Sequence, residues 1–123
     1  MRVLMSIKPE FVEKIFHGDK KYEFRRVLFK RTDIESIVIY ATHPVSKVVG
    51  EVTVASVLID KPSKIWKKTR EKSGISKEYF DAYFSGKKLA NAIYIKHTSE
   101  YLTPISLSDI NVRRAPQSFC YIN

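Results

Sequence analysis

The chain has 123 residues, of which 44% are apolar and 12% aromatic, and it carries a net charge of +9. This length fits one domain with a modest core, and the apolar content argues against wholesale disorder. No apolar run approaches the roughly 20 residues of a membrane span, and Lys8-Pro9 interrupts any signal-peptide layout. The lone Cys120 excludes an internal disulfide, is expected to be a small core residue, and favours a reducing, cytoplasmic setting.

The positive charge is concentrated in two segments. Residues 1–31 carry nine Lys/Arg against four acids, and residues 61–98 carry ten against three. Such clustering favours a polyanionic partner, with nucleic acid first, through a Coulomb term that does not depend on sequence. The alternative is that the charge only confers solubility.

The first elements are predicted from apolar spacing and helix-end signals. Arg2–Ile7 is apolar enough to be a buried strand. A helix is predicted from Pro9 to His17, since proline suits the first helical turn and Gly18 suits the position after the last. A second strand is predicted within Tyr22–Arg26, followed by a basic loop over residues 27–33.

The middle of the chain is rich in β-branched residues. Ser36–Ala41 predicts a central strand that is covered on both faces. After a turn at residues 42–44, Lys47–Ile59 is too long for one flat strand, and Gly50 is a plausible bulge or bend.

Two helices and the last strands follow. Residues 63–72 predict a basic helix, and Ser76 is a natural N-cap for a helix to Ser85. Its stripe of Tyr79, Phe80, Tyr83 and Phe84 predicts core packing rather than base stacking. Asn91–His97 is expected to be a strand, followed by a loop with Pro104, a short turn near 107–110, a polar segment over 113–118 and a final strand at 119–122.

The element order predicts one α+β domain over residues 1–123. The β segments are most simply closed into a small barrel with peripheral helices outside it. Repeats and low-complexity tracts are absent.

Several familiar site signatures are missing. The four glycines are not grouped as a phosphate-binding loop requires. His17, His43 and His97 are scattered and offer no metal-ligand spacing, and no nucleophile elbow accompanies the serines. The sequence therefore predicts no metal and no cofactor.

The stretch from Gly18 to Arg26 holds the strongest candidate site. Lys20 lies in a predicted turn, and Glu23 and Arg25 share one face of the strand, so the three can converge on one solute. Arginine presents a planar donor fork to phosphate or carboxylate, and a glutamate can accept from the edge of an unpaired base. The alternative is a Glu23–Arg25 salt bridge beside a solvated lysine.

Ser6-Ile7-Lys8-Pro9, the helix, and then the pattern G-x-K-x-x-E-x-R from Gly18 to Arg25 resemble the ASCH family of the PUA-like superfamily. The resemblance covers essentially the whole chain. It implies a small β-barrel with a cleft lined by this motif, and a link to RNA binding. One bacterial branch resembles amidohydrolases that remove the acetyl group from N4-acetylated cytidine.

That branch uses Lys, Thr and Glu, and Lys20 matches its lysine. Glu23 stands where the branch has threonine, and its later glutamate has no clear counterpart, with Glu71 and Glu78 both nearby. If the chain is an enzyme, the catalytic candidates are Lys20 and Glu23. The departure favours recognition over cleavage.

These observations give three functional hypotheses. The first is an RNA- or modified-nucleoside-binding domain, which could have a regulatory role. The second is a small amidohydrolase of acylated nucleosides, and the third is a ligand-sensing module beside a transcription factor. The expected partner is RNA or a nucleotide-like ligand rather than a membrane. The candidate ligand-binding residues are Lys8, Lys20, Glu23, Arg25, Arg26, Arg113, Gln117 and Ser118.

Overall fold

A six-stranded mixed sheet organises the computed structural model, which describes residues 1–123. The strands are β1 (Arg2–Ile7), β2 (Tyr22–Arg25), β3 (Ser36–Ala41), β4 (Lys47–Asp60), β5 (Ala90–Ile105) and β6 (Phe119–Ile122). The helices are α1 (Pro9–His17), α2 (Pro62–Thr69) and α3 (Lys77–Tyr83), with single 3-10 turns at Arg70–Lys72 and Leu107–Ile110.

The strand order is β2-β5-β4-β3-β1-β6, so β2 and β6 are the edges of the sheet. Only β1 and β3 pair in parallel, and the other neighbours are antiparallel. The long strands β4 and β5 contain several register shifts, including one between Val48 and Gly50. Such irregularities bend and twist a strand, and the sheet accordingly curls into a half-barrel.

Apolar side chains on both faces of the sheet are buried. Val3, Met5 and Ile39 belong to the main cluster with α1, whereas Leu4 and Val38 point into a separate cluster on the other face. A third cluster, which includes Phe24 and Phe80, packs α2 and α3 against β2 and β5. The burial of both faces explains why Val3–Met5 of β1 and Ile37–Ile39 of β3 are apolar at consecutive positions.

The predicted α+β fold, a small barrel with peripheral helices, is confirmed as a sheet curled into a half-barrel, and it is the PUA-like architecture that the resemblance implied. The bounds of β1, α1, β3 and β6 agree with the sequence prediction, and the Ser76 side chain caps α3. Cys120 is half-buried and packs against the cluster that contains Leu4 and Val38.

One prediction was wrong: the segment around Pro104 is not a loop, because β5 continues to Ile105. Strand β2 pairs with β5 only at residues 91–94, so the far half of β5 has β4 as its single neighbour. A proline is tolerated there, because Pro104 lies in the bulged stretch between Glu100 and Ile105 and not in a regular part of the ladder.

None of the three helices has the length and apolar character that a membrane crossing would require.

Candidate functional site

A cleft of about 560 Å³ opens between the end of β1, the start of α1, strand β2 and helix α3. Its walls combine charged and aromatic side chains, and sixteen residues contribute to them. The volume falls within the range of small-ligand sites, roughly 300–1,000 Å³.

The Lys20 side chain is buried at the base of this cleft, with 2% of its surface exposed. Its Nζ donates a hydrogen bond to the Ser73 carbonyl oxygen at 2.7 Å. The same ammonium lies 4.8 Å from the ring centroid of Phe24 and 5.2 Å from that of Phe11. Carbonyl and aromatic faces thus replace much of the water that a lysine normally holds.

Burial lowers the pKa of Lys20 from 10.5 to about 8, because the low-polarity surroundings disfavour the ammonium. The Glu23 carboxylate opposes this shift, and the charge of Lys14 adds to it. An amine with this pKa exists partly in its neutral form near physiological pH. It can therefore act as a hydrogen-bond donor or as a base.

Gly74 makes room for the Lys20 side chain. Its φ of +70° is in the left-handed region, and a Cβ at this position would lie 2.6 to 2.9 Å from Cβ, Cγ and Cδ of Lys20. The site therefore depends on a glycine for two reasons, backbone conformation and space. Lys14 Nζ donates to the Gly74 carbonyl at 2.9 Å, which ties this segment to α1.

Glu23 and Arg25 form a largely buried ion pair, with 3.1 Å between Oε2 and Nη1. Arg25 also donates to the Ser6 carbonyl through Nη1 and to Ser118 Oγ through Nη2. Its guanidinium thereby links the edge strand β2 to the end of β1 and to the segment that leads into β6. The salt bridge of the alternative interpretation therefore exists, but Lys20 is buried and not solvated, and the pair lies in the wall of a cleft.

Two tyrosines of α3 form the aromatic rim of the cleft. The rings of Tyr79 and Tyr83 are nearly parallel, 15° between planes, with centroids 6.3 Å apart. Lys8 Nζ lies 5.5 Å from the Tyr79 centroid, and the Arg26 guanidinium lies 4.6 Å from the Tyr83 centroid. The rim therefore pairs each ring with an exposed cation.

Seven of the eight candidate ligand-binding residues line this cleft: Lys8, Lys20, Glu23, Arg25, Arg26, Gln117 and Ser118. Arg113 does not. It borders a separate, shallow depression formed by the 3-10 turn at Leu107–Ile110 and the residues around it. Its place in the chain, five residues before Ser118, was a poor guide to its position because the intervening residues form bends and irregular backbone and not an extended strand.

Sequence reasoning missed most of the apolar and aromatic wall. Phe11, Ile75, Tyr79 and Tyr83 line the cleft, although the aromatic stripe of α3 was expected to pack in the core. That expectation holds for Phe80 and Phe84, which are buried. The hydroxyl groups of Tyr79 and Tyr83 were the only local difference from Phe80 and Phe84, since a tyrosine hydroxyl requires a polar partner or water.

The comparisons with known proteins agree with this geometry. The family model of the ASCH domain matches residues 5–99. An ASCH domain-containing ribonuclease of Zymomonas mobilis is 28% identical over 123 residues, covering 97% of this chain and 82% of that protein. The crystal structure of ASCH from Zymomonas mobilis superposes with a TM-score of 0.90 at 27% identity, covering 99% of this chain and 87% of that chain.

Large ribosomal subunit protein uL22 of Ureaplasma parvum is 34% identical over 123 residues. The match covers 98% of this chain but 39% of that protein, so the chain spans about two fifths of the length of this relative.

Substitution of Gly74 by alanine is expected to displace Lys20 and destabilise the protein. Alanine is strained in the left-handed conformation and also overpacks the Lys20 stem, which typically costs about 1–3 kcal/mol. Gly86→Ala is the matched control, because Gly86 has a φ of +78° but a Cβ added there would meet nothing within 4 Å. Urea unfolding should show a larger loss of stability for Gly74→Ala; equal losses would contradict the steric role of Gly74.

The lowered pKa of Lys20 predicts a pH-dependent stability. Between about pH 8 and the ordinary value of 10.5, the unfolded chain binds more protons than the folded one. The free energy of unfolding should therefore rise with pH across this window, by up to about 1.4 kcal/mol per pH unit from this group. Lys20→Met should remove the rise, and Lys21→Met, at an exposed neighbouring position, should keep it. Identical pH profiles for wild type and Lys20→Met would refute the burial of a titrating ammonium.

Proposed function

The chain belongs to the ASCH domain family, and we propose that its cleft binds one unpaired nucleotide of RNA, or a modified nucleoside. The observation that carries this proposal is the meeting, in one cleft, of the Tyr79–Tyr83 rim and the Glu23–Arg25 pair. The first suits the flat face of a base, and the second suits its polar edge.

The tyrosine rim supplies the stacking surface. The bases of single-stranded RNA are unstacked, so proteins recognise them by stacking them on aromatic rings or arginine planes. The bases of a duplex are not accessible in this way. Tyr83 already carries the Arg26 guanidinium over its ring. A base entering the cleft can stack on either the aromatic or the guanidinium plane.

The polar groups at the base of the cleft supply recognition. Glu23 uses one carboxylate oxygen for Arg25, and its other oxygen makes no hydrogen bond within the protein. That oxygen is available to an exocyclic amine of the base. Gln117 adds an amide with both donor and acceptor groups at the rim.

The cations at the mouth of the cleft suit a phosphate. Lys8 and Arg26 are exposed there, and neither takes part in an ion pair. The ASCH domain-containing ribonuclease of Zymomonas mobilis supports RNA as the polymer that carries this phosphate.

Tyr79→Ala is expected to weaken binding of a short single-stranded RNA by roughly five- to 150-fold, the equivalent of about 1–3 kcal/mol for one lost stacked base. Tyr79→Phe keeps the ring and should bind within about twofold of wild type. Fluorescence anisotropy with a labelled pentanucleotide measures both. Wild-type affinity in Tyr79→Ala, with circular dichroism showing an intact fold, would exclude base stacking at this rim.

Hydrolysis at the same cleft is a second candidate function, and the buried Lys20 favours it. A lysine amine with a pKa of about 8 can take a proton from water or from a ribose hydroxyl near neutral pH. Two substrates suit the site: a phosphodiester, in view of the named ribonuclease relative, and the acetyl amide of N4-acetylcytidine, in view of the motif.

Chromatography of the products distinguishes these reactions. If the chain is a hydrolase, Lys20→Met should lower turnover by at least about 100-fold, in line with the usual contribution of a general base. Lys21→Met should retain turnover. Absence of product from both substrates at high enzyme concentration would leave binding as the function, and residual full activity in Lys20→Met would rule out this lysine as the base.

A further inference from the structure

We propose that helix α2 and the turn after it form a second RNA contact, which holds the phosphate backbone as it leaves the cleft. This inference rests on the proposed binding of RNA and adds a surface that the cleft does not include. We refer to the surface as the basic stripe. It consists of Lys61, Lys64, Lys67, Lys68, Arg70 and Lys72.

The basic stripe is an unusual concentration of uncompensated charge. Within residues 61–72 there are six cations and one acid, Glu71. All six cationic residues are exposed, and none of their side chains takes part in an ion pair of the structure. Like charges spaced three and four residues apart repel one another on a helix, so a bound polyanion would relieve a repulsion that the protein itself leaves in place.

The stripe is anchored so that the cations face outward. Ile65 and Thr69 are the buried residues of α2, and Thr69 Oγ1 donates back to the Ile65 carbonyl. Lys64 and Lys68 lie four residues apart on the exposed side, about 6 Å along the axis. The helix thereby presents a row of point charges, which suits phosphate groups and does not require a particular base.

The stripe leads directly to the cleft. Lys21 N donates to the Lys72 carbonyl at 2.8 Å, and Lys20 Nζ donates to the next carbonyl, that of Ser73. Ile75, which lines the cleft, is three residues beyond Lys72, a span of at most about 11 Å. A strand with one nucleotide in the cleft therefore has the stripe within reach of its next phosphates.

The shape of α2 favours RNA over an anionic membrane. A helix that lies on a bilayer inserts an apolar face and keeps its charges toward water. In α2 the apolar face is already used, because Ile65 is fully buried and Trp66 packs against Phe80. The exposed side has no large apolar residue to insert.

The test compares two charge-matched double variants. Lys64→Glu/Lys68→Glu reverses the centre of the stripe. Lys47→Glu/Arg114→Glu makes the same change in net charge at exposed positions outside the stripe and the cleft. Lys47 is the first residue of β4, whereas α2 follows the last residue of that strand, so Lys47 and the stripe lie at opposite ends of β4. Thermal unfolding checks that both variants fold.

Each protein is titrated with cytidine monophosphate, with a single-stranded RNA of about twelve nucleotides, with inorganic polyphosphate and with anionic phospholipid vesicles. For the RNA, the stripe variant should bind at least about tenfold more weakly at low salt than the control variant. Its plot of log affinity against log salt should be shallower by about 1.4, since each single-strand phosphate contact contributes roughly 0.7. Binding of the mononucleotide should be unchanged in both variants.

The outcomes separate this inference from the proposed function. Equal RNA affinities and salt slopes for the two variants would refute the contact between RNA and the basic stripe, and would not affect the proposed binding of a nucleotide in the cleft. Polyphosphate binding that is lost only in the stripe variant, with no mononucleotide binding by wild type, would support the stripe as an anion surface and overturn the cleft. Stripe-dependent binding to anionic phospholipid vesicles but not to RNA would overturn RNA as the partner.

Discussion

The buried ammonium of Lys20 is the constraint on which the candidate site depends. A cation removed from water needs compensation in its immediate surroundings, or the fold loses several kcal/mol. Here the compensation comes from three separate segments: Phe11 of α1, Phe24 of β2 and the Ser73 carbonyl between α2 and α3. The requirement fixes how α1 and the α2–α3 connection sit against β2, and the gap left above the lysine is the cleft.

Arg25 is the second constraint, because its hydrogen bonds join the segments that form the wall of the cleft opposite α3. The edge strands β2 and β6 do not pair with each other. The guanidinium spans the opening instead, through the Ser6 carbonyl and Ser118 Oγ, while Glu23 balances its charge. Arginine suits this task because its fork holds several acceptors in one plane. A lysine in the same place would offer a point charge without the planar geometry.

Local sequence signals predicted most helices and strands well. They failed where contacts between distant segments determine the extent of a strand or the burial of a side chain. Proline, the apolar stripe and Gly18 were sufficient for α1. The extent of β5 depends on its pairing with β4 across a bulged ribbon, which no local pattern encodes. The burial of Lys20 and the role of Gly74 depend on a contact across more than fifty residues. In α3, helical spacing grouped four aromatic residues, whereas the position of β2 decided that Phe80 is buried and Tyr79 lines the cleft.

The charges of this protein divide into two kinds with different consequences for binding. Lys20 and Glu23 are buried, Arg25 is half-buried, and all three are hydrogen-bonded, so salt screens them weakly and their geometry is fixed before a ligand arrives. The cations of α2 are exposed and unpaired, where screening acts over about 8 Å at physiological ionic strength. Affinity from the second kind falls with salt and ignores base identity, while interactions of the first kind depend little on salt. If the cleft binds RNA as proposed, a chain with a net charge of +9 would bind polyanions broadly and still select one nucleotide, because the groups proposed to select it are not those that supply the long-range attraction.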